Sequence, residues 1–204
     1  MKLYNSMGPN PHVVRMFAAE KNVTLDLEEV DLMGGVNRQD DYLAKNPSGQ
    51  LPCLELDDGT QIAEITAICE YLDEVGGGPS LVGETAEARA VTRMWTRRVD
   101  LNICEPLANG FRYSEGLPIF KDRMITIPEA AEGLKRIARE KLTWLDDLMG
   151  DGREFVAGDN LSLADVLLYC MLAFGNNVGQ PFDENLSRIK PWFDRMAARD
   201  SANA

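Results

Sequence analysis

The sequence holds a single histidine, His12, in 204 residues, which excludes a histidine-rich metal site. It has four cysteines, Cys53, Cys69, Cys104 and Cys170, with no Cys-x-x-Cys among them. That spacing excludes both a zinc site and a thioredoxin-type dithiol, so no metal is expected. Scattered thiols fit a reducing cytoplasm, as does an N-terminus, Met1-Lys2-Leu3-Tyr4-Asn5, without a long apolar stretch. No run of about 18 apolar residues occurs, so no membrane-spanning helix is expected. Positive charge is scarce: 21 Lys and Arg stand against 33 Asp and Glu, a net charge of −12. Such an acidic chain repels nucleic acid. The imbalance is concentrated, because residues 1–80 carry 5 basic and 14 acidic side chains and so account for −9 of the −12. Internal repeats and low-complexity tracts are also lacking.

The residues present divide the chain in two, at 1–76 and 85–204. Lys2–Asn5 reads as a strand. Pro11–Lys21 reads as a helix, with Asn10 placed to cap it and Pro11 as its first residue. His12 falls on the surface of that helix, and Tyr4 in the strand core. Thr24–Val30 alternates as a strand. Leu51–Leu56 and Gln61–Ala63 flank Asp57-Asp58-Gly59, a hairpin signal, and Glu64–Glu74 reads as a helix. Val75–Ser80 is a linker by composition. Beyond it strand signals stop. Thr85–Tyr113 is one long helical pattern kinked at Pro106, Pro128–Met149 a second, and Ser162–Asp165 a capping box opening a third. Leu186–Arg199 is the last helix, interrupted or started at Pro191, and Asp200–Ala204 a frayed tail. Trp95, Trp144 and Trp192 sit in amphipathic patterns that belong to a core or an interface. The expected fold is an α/β thioredoxin-like domain without redox cysteines, followed by an all-helical domain.

The densest signal is Asn46-Pro47-Ser48-Gly49-Gln50-Leu51-Pro52-Cys53-Leu54. A proline at the start of a strand gives up a ladder donor. The Leu51–Pro52 bond is a candidate for the cis isomer, for which an X-Pro bond loses only about 0.5–1 kcal/mol. That geometry turns the Leu51 backbone outward, ready to pair with an extended peptide. Glu64-Ile65-Thr66 follows, an acid beside helix-start N–H groups that favour an anion. Together the two segments suit a small peptide bearing an ammonium and a carboxylate.

The order of strand, Pro-Asn-Pro helix start, Asn-Pro-x-Gly-x-Leu-Pro, Asp-Asp-Gly turn and Glu-x-x-Ala-Ile-x-x-Tyr-Leu helix resembles the N-terminal domain of cytosolic glutathione transferases, over about residues 1–75. Gly8-Pro9-Asn10-Pro11-His12 is similar to the atypical bacterial and fungal members, among them the nu class. The resemblance implies glutathione as co-substrate, a homodimer and an apolar electrophile bound between the domains. It implies that Leu51 pairs with the cysteinyl part of glutathione, with Pro52 holding the geometry. Glu64 then takes the ammonium, Ile65 and Thr66 the γ-glutamyl carboxylate, and Arg38 and Gln50 the glycyl end. Ile65 stands where family members usually have Ser, and Gly8 where they commonly have Ser or Cys, so two hydroxyl or thiol contacts are missing.

A glutathione enzyme must make a thiolate. Moving a thiol of pKa about 8.5 down by two units needs roughly 3 kcal/mol. One hydrogen bond to the charged sulfur contributes about 1.5–3 kcal/mol, so one donor at the first helix suffices. Asn10 is the first candidate by resemblance and Ser6 the second; the alternative role for Asn10 is the helix cap. Asn109, Tyr113 and Ser114, at the end of the long helix, are candidates for contacting the electrophile. Two other activities stay open: glutathione-dependent disulfide reduction and non-catalytic binding.

Overall fold

The computed structural model describes residues 1–204, which divide into two compact units: Met1–Ser80 with Asp200–Ala204, and Leu81–Arg199. The first unit runs β1 (Lys2–Asn5), α1 (Pro9–Glu20), β2 (Asp26–Glu29), α2 (Asp40–Leu43), β3 (Cys53–Glu55), β4 (Gln61–Ala63) and α3 (Ile65–Val75). Its four strands lie in the order β2-β1-β3-β4. The pair β1–β2 is parallel, and β1–β3 and β3–β4 are antiparallel. This is the thioredoxin-like topology expected from the strand-helix-strand, strand-strand-helix order. β3 and β4 form the expected hairpin, closed by Leu56 N–H to Thr60 O with Gly59 at φ +86°. Leu3, Val13, Val14, Met16, Phe17, Leu54, Ile68 and Leu72 are fully buried and build the core.

Several local expectations are corrected. α1 begins at Pro9, so Asn10 is already helical; the N-cap is Gly8, with no side-chain cap bond. The strand expected over 24–30 shrinks to an edge strand, β2, exposed throughout; its charges guard the open edge. The Gly-rich segment after α3, read as a linker, is tied to the first unit. Gly77 N–H bonds Lys21 O, Lys21 Nζ bonds Pro79 O (2.9 Å), and Ser80 Oγ bonds Asp73. Lys21 is itself buried and paired with Asp73 at 3.1 Å. The tail does not fray: Asp200–Asn203 forms a 3-10 turn with Ser201 and Ala202 buried. His12 is half-buried, with Nε2 bonded to Ala202 O at 2.9 Å.

The second unit is all-helical: α4 (Ala86–Val99), α5 (Glu105–Arg112), α6 (Leu117–Phe120), α7 (Ala131–Leu148), α8 (Leu163–Asn177) and α9 (Ile189–Ala197). Thr85 caps α4 through Ala88 N–H. The long helix expected over 85–113 is broken into α4 and α5 by a π-helical segment, Asp100–Cys104, just before Pro106. A proline has no N–H for the preceding turn, and a wider turn absorbs that loss. α8 starts at the expected box. Asp165 Oδ2 accepts from the Ser162 N–H (3.0 Å) and hydroxyl (2.6 Å). Its Oδ1 accepts from Val156 N–H (2.7 Å) and Trp192 Nε1–H (2.9 Å). α9 starts at Ile189, between the two expected starts, Leu186 and Pro191, where Asp146 Oδ1 on α7 accepts the N–H groups of Arg188 and Ile189, both at 2.8 Å. Trp95 and Trp192 are buried, whereas Trp144 lies exposed on α7 and is no part of the core.

Candidate functional site

Sheet register decides what the first unit brings together. Tyr4 pairs with Cys53, and Cys53 with Ala63. The residues after β1 (Ser6), before β3 (Leu51 and Pro52) and after β4 (Glu64) therefore lie side by side at one end of the sheet. The Leu51–Pro52 peptide is cis. The ladder stops at Cys53, so Leu51 lies beyond it with its backbone outside the sheet pairing.

Two helices start at the same end. Both lack a side-chain cap, and the first turn of α1 carries no acid. Uncapped N–H groups at a helix start favour an anion, although Pro9 and Pro11 have none, so that of Asn10 is the one N–H among the first three residues of α1. The backbone around them is special. Gly8 has φ +122° and ψ 169°, a region essentially restricted to glycine. That is a physical reason for the missing Ser or Cys: a side chain there is strained even though nothing lies within 4 Å of where its Cβ would sit. Glu64 has φ +69° and ψ 119°, outside the left-handed helical well that a non-glycine residue sometimes adopts. Strain of that kind costs on the order of 1–3 kcal/mol and concentrates at functional sites.

Each candidate side chain can be located. Asn10 is the second residue of α1, half-buried and free of any capping role. Ser6 is buried, its hydroxyl donating to Met7 O at 3.1 Å. Tyr4 is buried and donates to Glu55 Oε2 at 2.6 Å, with the Lys45 ammonium 4.9 Å from its ring centre, as a structural strand residue would. Ile65 and Thr66 are the first two residues of α3, and Glu64 beside them is exposed. Cys53 is buried, and burial followed by Glu55 pushes its thiol up to about 11, so it stays protonated and unreactive.

The loop carrying Gln50 and Leu51 is pinned from behind by residues that sequence reasoning left without a role. The buried Tyr42 hydroxyl donates to Gln50 O at 2.7 Å, joined by Asn46 Nδ2 at 2.9 Å. Asn37 Nδ2 donates to Gly49 O at 2.6 Å, and Ser48 Oγ to Asn46 Oδ1 at 2.9 Å. Burial raises the Tyr42 phenol, which keeps it a neutral donor. Its signal in the sequence was faint: an aromatic with a polar tip in the short segment Asp40-Asp41-Tyr42-Leu43, which needs a partner once buried. Arg38 is exposed beside the same loop, with Nη1 donating to Ser48 O at 3.2 Å and four further N–H donors in its guanidinium.

The second unit holds the remaining candidates. Asn109 donates to Glu105 (3.1 Å) and accepts from Arg112 (2.9 Å), which leaves one of its two amide N–H groups for another partner. Ser114 Oγ bonds Gly110 O (2.5 Å) and Glu115 Oε2 (2.6 Å). Tyr113 caps the end of α5, half-buried. Next to it Phe111 packs edge-on against Phe174 (5.0 Å between centres) and Phe120 (6.2 Å).

Residues 7–75 match the family described as glutathione S-transferase, N-terminal domain, and residues 128–195 its C-terminal domain. The chain is 34% identical over 200 residues to glutathione S-transferase 2 of Saccharomyces cerevisiae, covering 95% of this chain and 84% of that one. It is 30% identical over 205 residues to glutathione S-transferase GstA of Escherichia coli O157:H7, covering 98% and 94%. It is also similar to the crystal structure of a glutathione S-transferase domain-containing protein of Marinobacter aquaeolei VT8, with a TM-score of 0.93, 37% identity and coverage of 99% and 100%. With both domain families matched and full-length relatives at this identity, the chain belongs to the glutathione S-transferase family of enzymes.

Proposed function

We propose that this chain activates the thiol of glutathione for attack on a small apolar electrophile. The observation that carries the reading is the shared sheet end, where the Leu51 backbone, strained Glu64 and two uncapped helix starts meet. Leu51 pairs with the cysteinyl backbone of the tripeptide. Glu64 takes the γ-glutamyl ammonium, while the first N–H groups of α3, at Ile65 and Thr66, take its carboxylate. The Thr66 hydroxyl stands in for the serine that Ile65 replaces. Arg38 and Gln50 hold the glycyl end, and Pro52 fixes the loop between them.

Asn10 stabilises the thiolate. Its side chain is not spent on the cap, and its amide N–H donates to sulfur while the open start of α1 adds its dipole. Ser6 is the second donor. The electrophile takes its polar contacts from Tyr113, Ser114 and Asn109, beside the aromatic cluster around Phe111. In this reading the enzyme works as a homodimer in the cytoplasm, in detoxification.

Calorimetric titration with reduced and then oxidised glutathione tests the proposal. Binding of the reduced form at micromolar to low-millimolar concentration supports it. Preference for the oxidised form transfers the same site to disulfide reduction, with the glutathione sulfur as redox centre. Binding of neither form means that the absent hydroxyls at Gly8 and Ile65 mark a lost site, and the reading fails.

A further inference from the structure

α1 presents its open start to the site without a side-chain cap; its apolar face is held by the core, and its other side is held by polar bonds. The 3-10 turn Asp200–Asn203 and the residue after it lie along α1 and are gripped at three points. His12 Nε2 bonds Ala202 O at 2.9 Å, Arg15 Nε donates to Ala204 O at 3.0 Å, and Ser201 Oγ bonds the Glu20 carboxylate. Arg15 reaches further. Its Nη1 donates to Asn5 Oδ1 at 2.6 Å, and the Asn5 amide in turn donates to Glu29 on β2. Asn5 is buried, closes β1 and immediately precedes Ser6. One guanidinium therefore ties together the end of β1, the second turn of α1 and the segment 200–204, on either side of the Ser6–Asn10 loop. Its fork of fixed donors suits two oxygens at set angles.

We propose that Arg15 is a positioning residue of the glutathione site: with the docked 200–204 segment as its second anchor, it fixes the loop that carries Ser6 and Gly8 and the helix start that carries Asn10. A helix start left uncapped for a ligand loses the local bonds that normally hold it, and long-range bonds to Arg15 and His12 replace them. The role rests on the glutathione reading, since the loop it fixes is the one assigned to the thiolate. A misplacement on the order of 1 Å at such a loop is enough to lower turnover about a hundredfold.

The test compares the full chain with Arg15→Ala, Arg15→Lys and a deletion of residues 200–204. Hydrogen exchange without ligand is followed at the amides of residues 6–14 other than Pro9 and Pro11, and the apparent pKa of bound glutathione is read from the ultraviolet absorbance of its thiolate. Arg15→Ala and the deletion are expected to speed exchange at 6–14 by about tenfold or more while the amides of β3 and α3 keep their protection. They are also expected to raise the bound thiol pKa, with Arg15→Lys restoring part of both effects through its single ammonium. Unchanged exchange at 6–14, or a speeding spread evenly over residues 1–80, overturns the inference. If the unmodified chain gives no thiolate signal, the glutathione reading fails instead, and exchange alone decides whether Arg15 fixes the loop.

Discussion

At the scale of single residues, the strained backbone of Glu64 and the non-capping amide of Asn10 define what can be tested. Glu64 holds φ +69°, where glycine is at ease and glutamate is not. Glu64→Gly relieves that strain, so thermal denaturation should show stability unchanged or raised by up to about 1 kcal/mol. The KM for glutathione should rise at least about tenfold, because a charged partner worth about 1.5–3 kcal/mol is lost. A variant that loses stability instead would mean that the carboxylate, rather than the ligand, supports this turn. Asn10→Ala removes the proposed donor to sulfur without removing a cap, since Gly8 holds that place. With glutathione saturating, the acidic limb of the kcat/KM profile for the electrophile should then move up by about one to two pH units, the equivalent of that hydrogen bond. The sign follows from the charge: a thiolate that loses a donor is harder to form, so activity is lost at low pH first. An unmoved profile would remove Asn10 from the chemistry.

At the scale of elements, the helices and the hairpin were legible where the signal was local. Asp57-Asp58-Gly59 named its hairpin, and Ser162 with Asp165 named the start of α8. What was not legible joins residues far apart in sequence and leaves no periodic trace. Asp146 caps α9 from α7, Trp192 donates to Asp165, and the segment 200–204 lies on α1 although its composition reads as a tail. The site divided in the same way. The motif Asn46–Pro52 and Glu64 could be read directly, whereas Tyr42 and Asn37 act on that motif only through backbone oxygens that the fold brings to them. Asp165 shows what such long-range bonds contribute. Burial pushes its carboxyl up, against the pull of donors from Ser162, Val156 and Trp192. Asp165→Ala leaves the Val156 N–H and the Trp192 indole N–H without their acceptor, at about 1–3 kcal/mol for each. For two such groups in a chain of this size, thermal denaturation should show a Tm lower by roughly 4–24 °C. A loss below about 1 kcal/mol would mean that water replaces the carboxylate and that the box is ornamental.

At the scale of the whole molecule, charge sets a problem that the site has to solve. Glutathione carries one net negative charge at neutral pH, and residues 1–80 carry −9. In the proposed reading the ligand is repelled at long range and attracted only at short range, by the starts of α1 and α3 and by Arg38. The two ranges respond differently to salt. Repulsion between separated charges is felt over about 30 Å at 0.01 M ionic strength and over only about 8 Å at 0.15 M. Contacts between bound groups are screened far less. Adding salt therefore removes the obstacle before it weakens the attraction, and kcat/KM for glutathione should rise between about 0.01 and 0.15 M. Arg38→Ala should lower kcat/KM at every salt concentration while leaving the rise in place, because the repulsion belongs to the surface and the attraction to the side chain. A steady fall with salt in the unmodified chain, abolished by Arg38→Ala, would reverse the assignment: one guanidinium would then outweigh the field of its own domain.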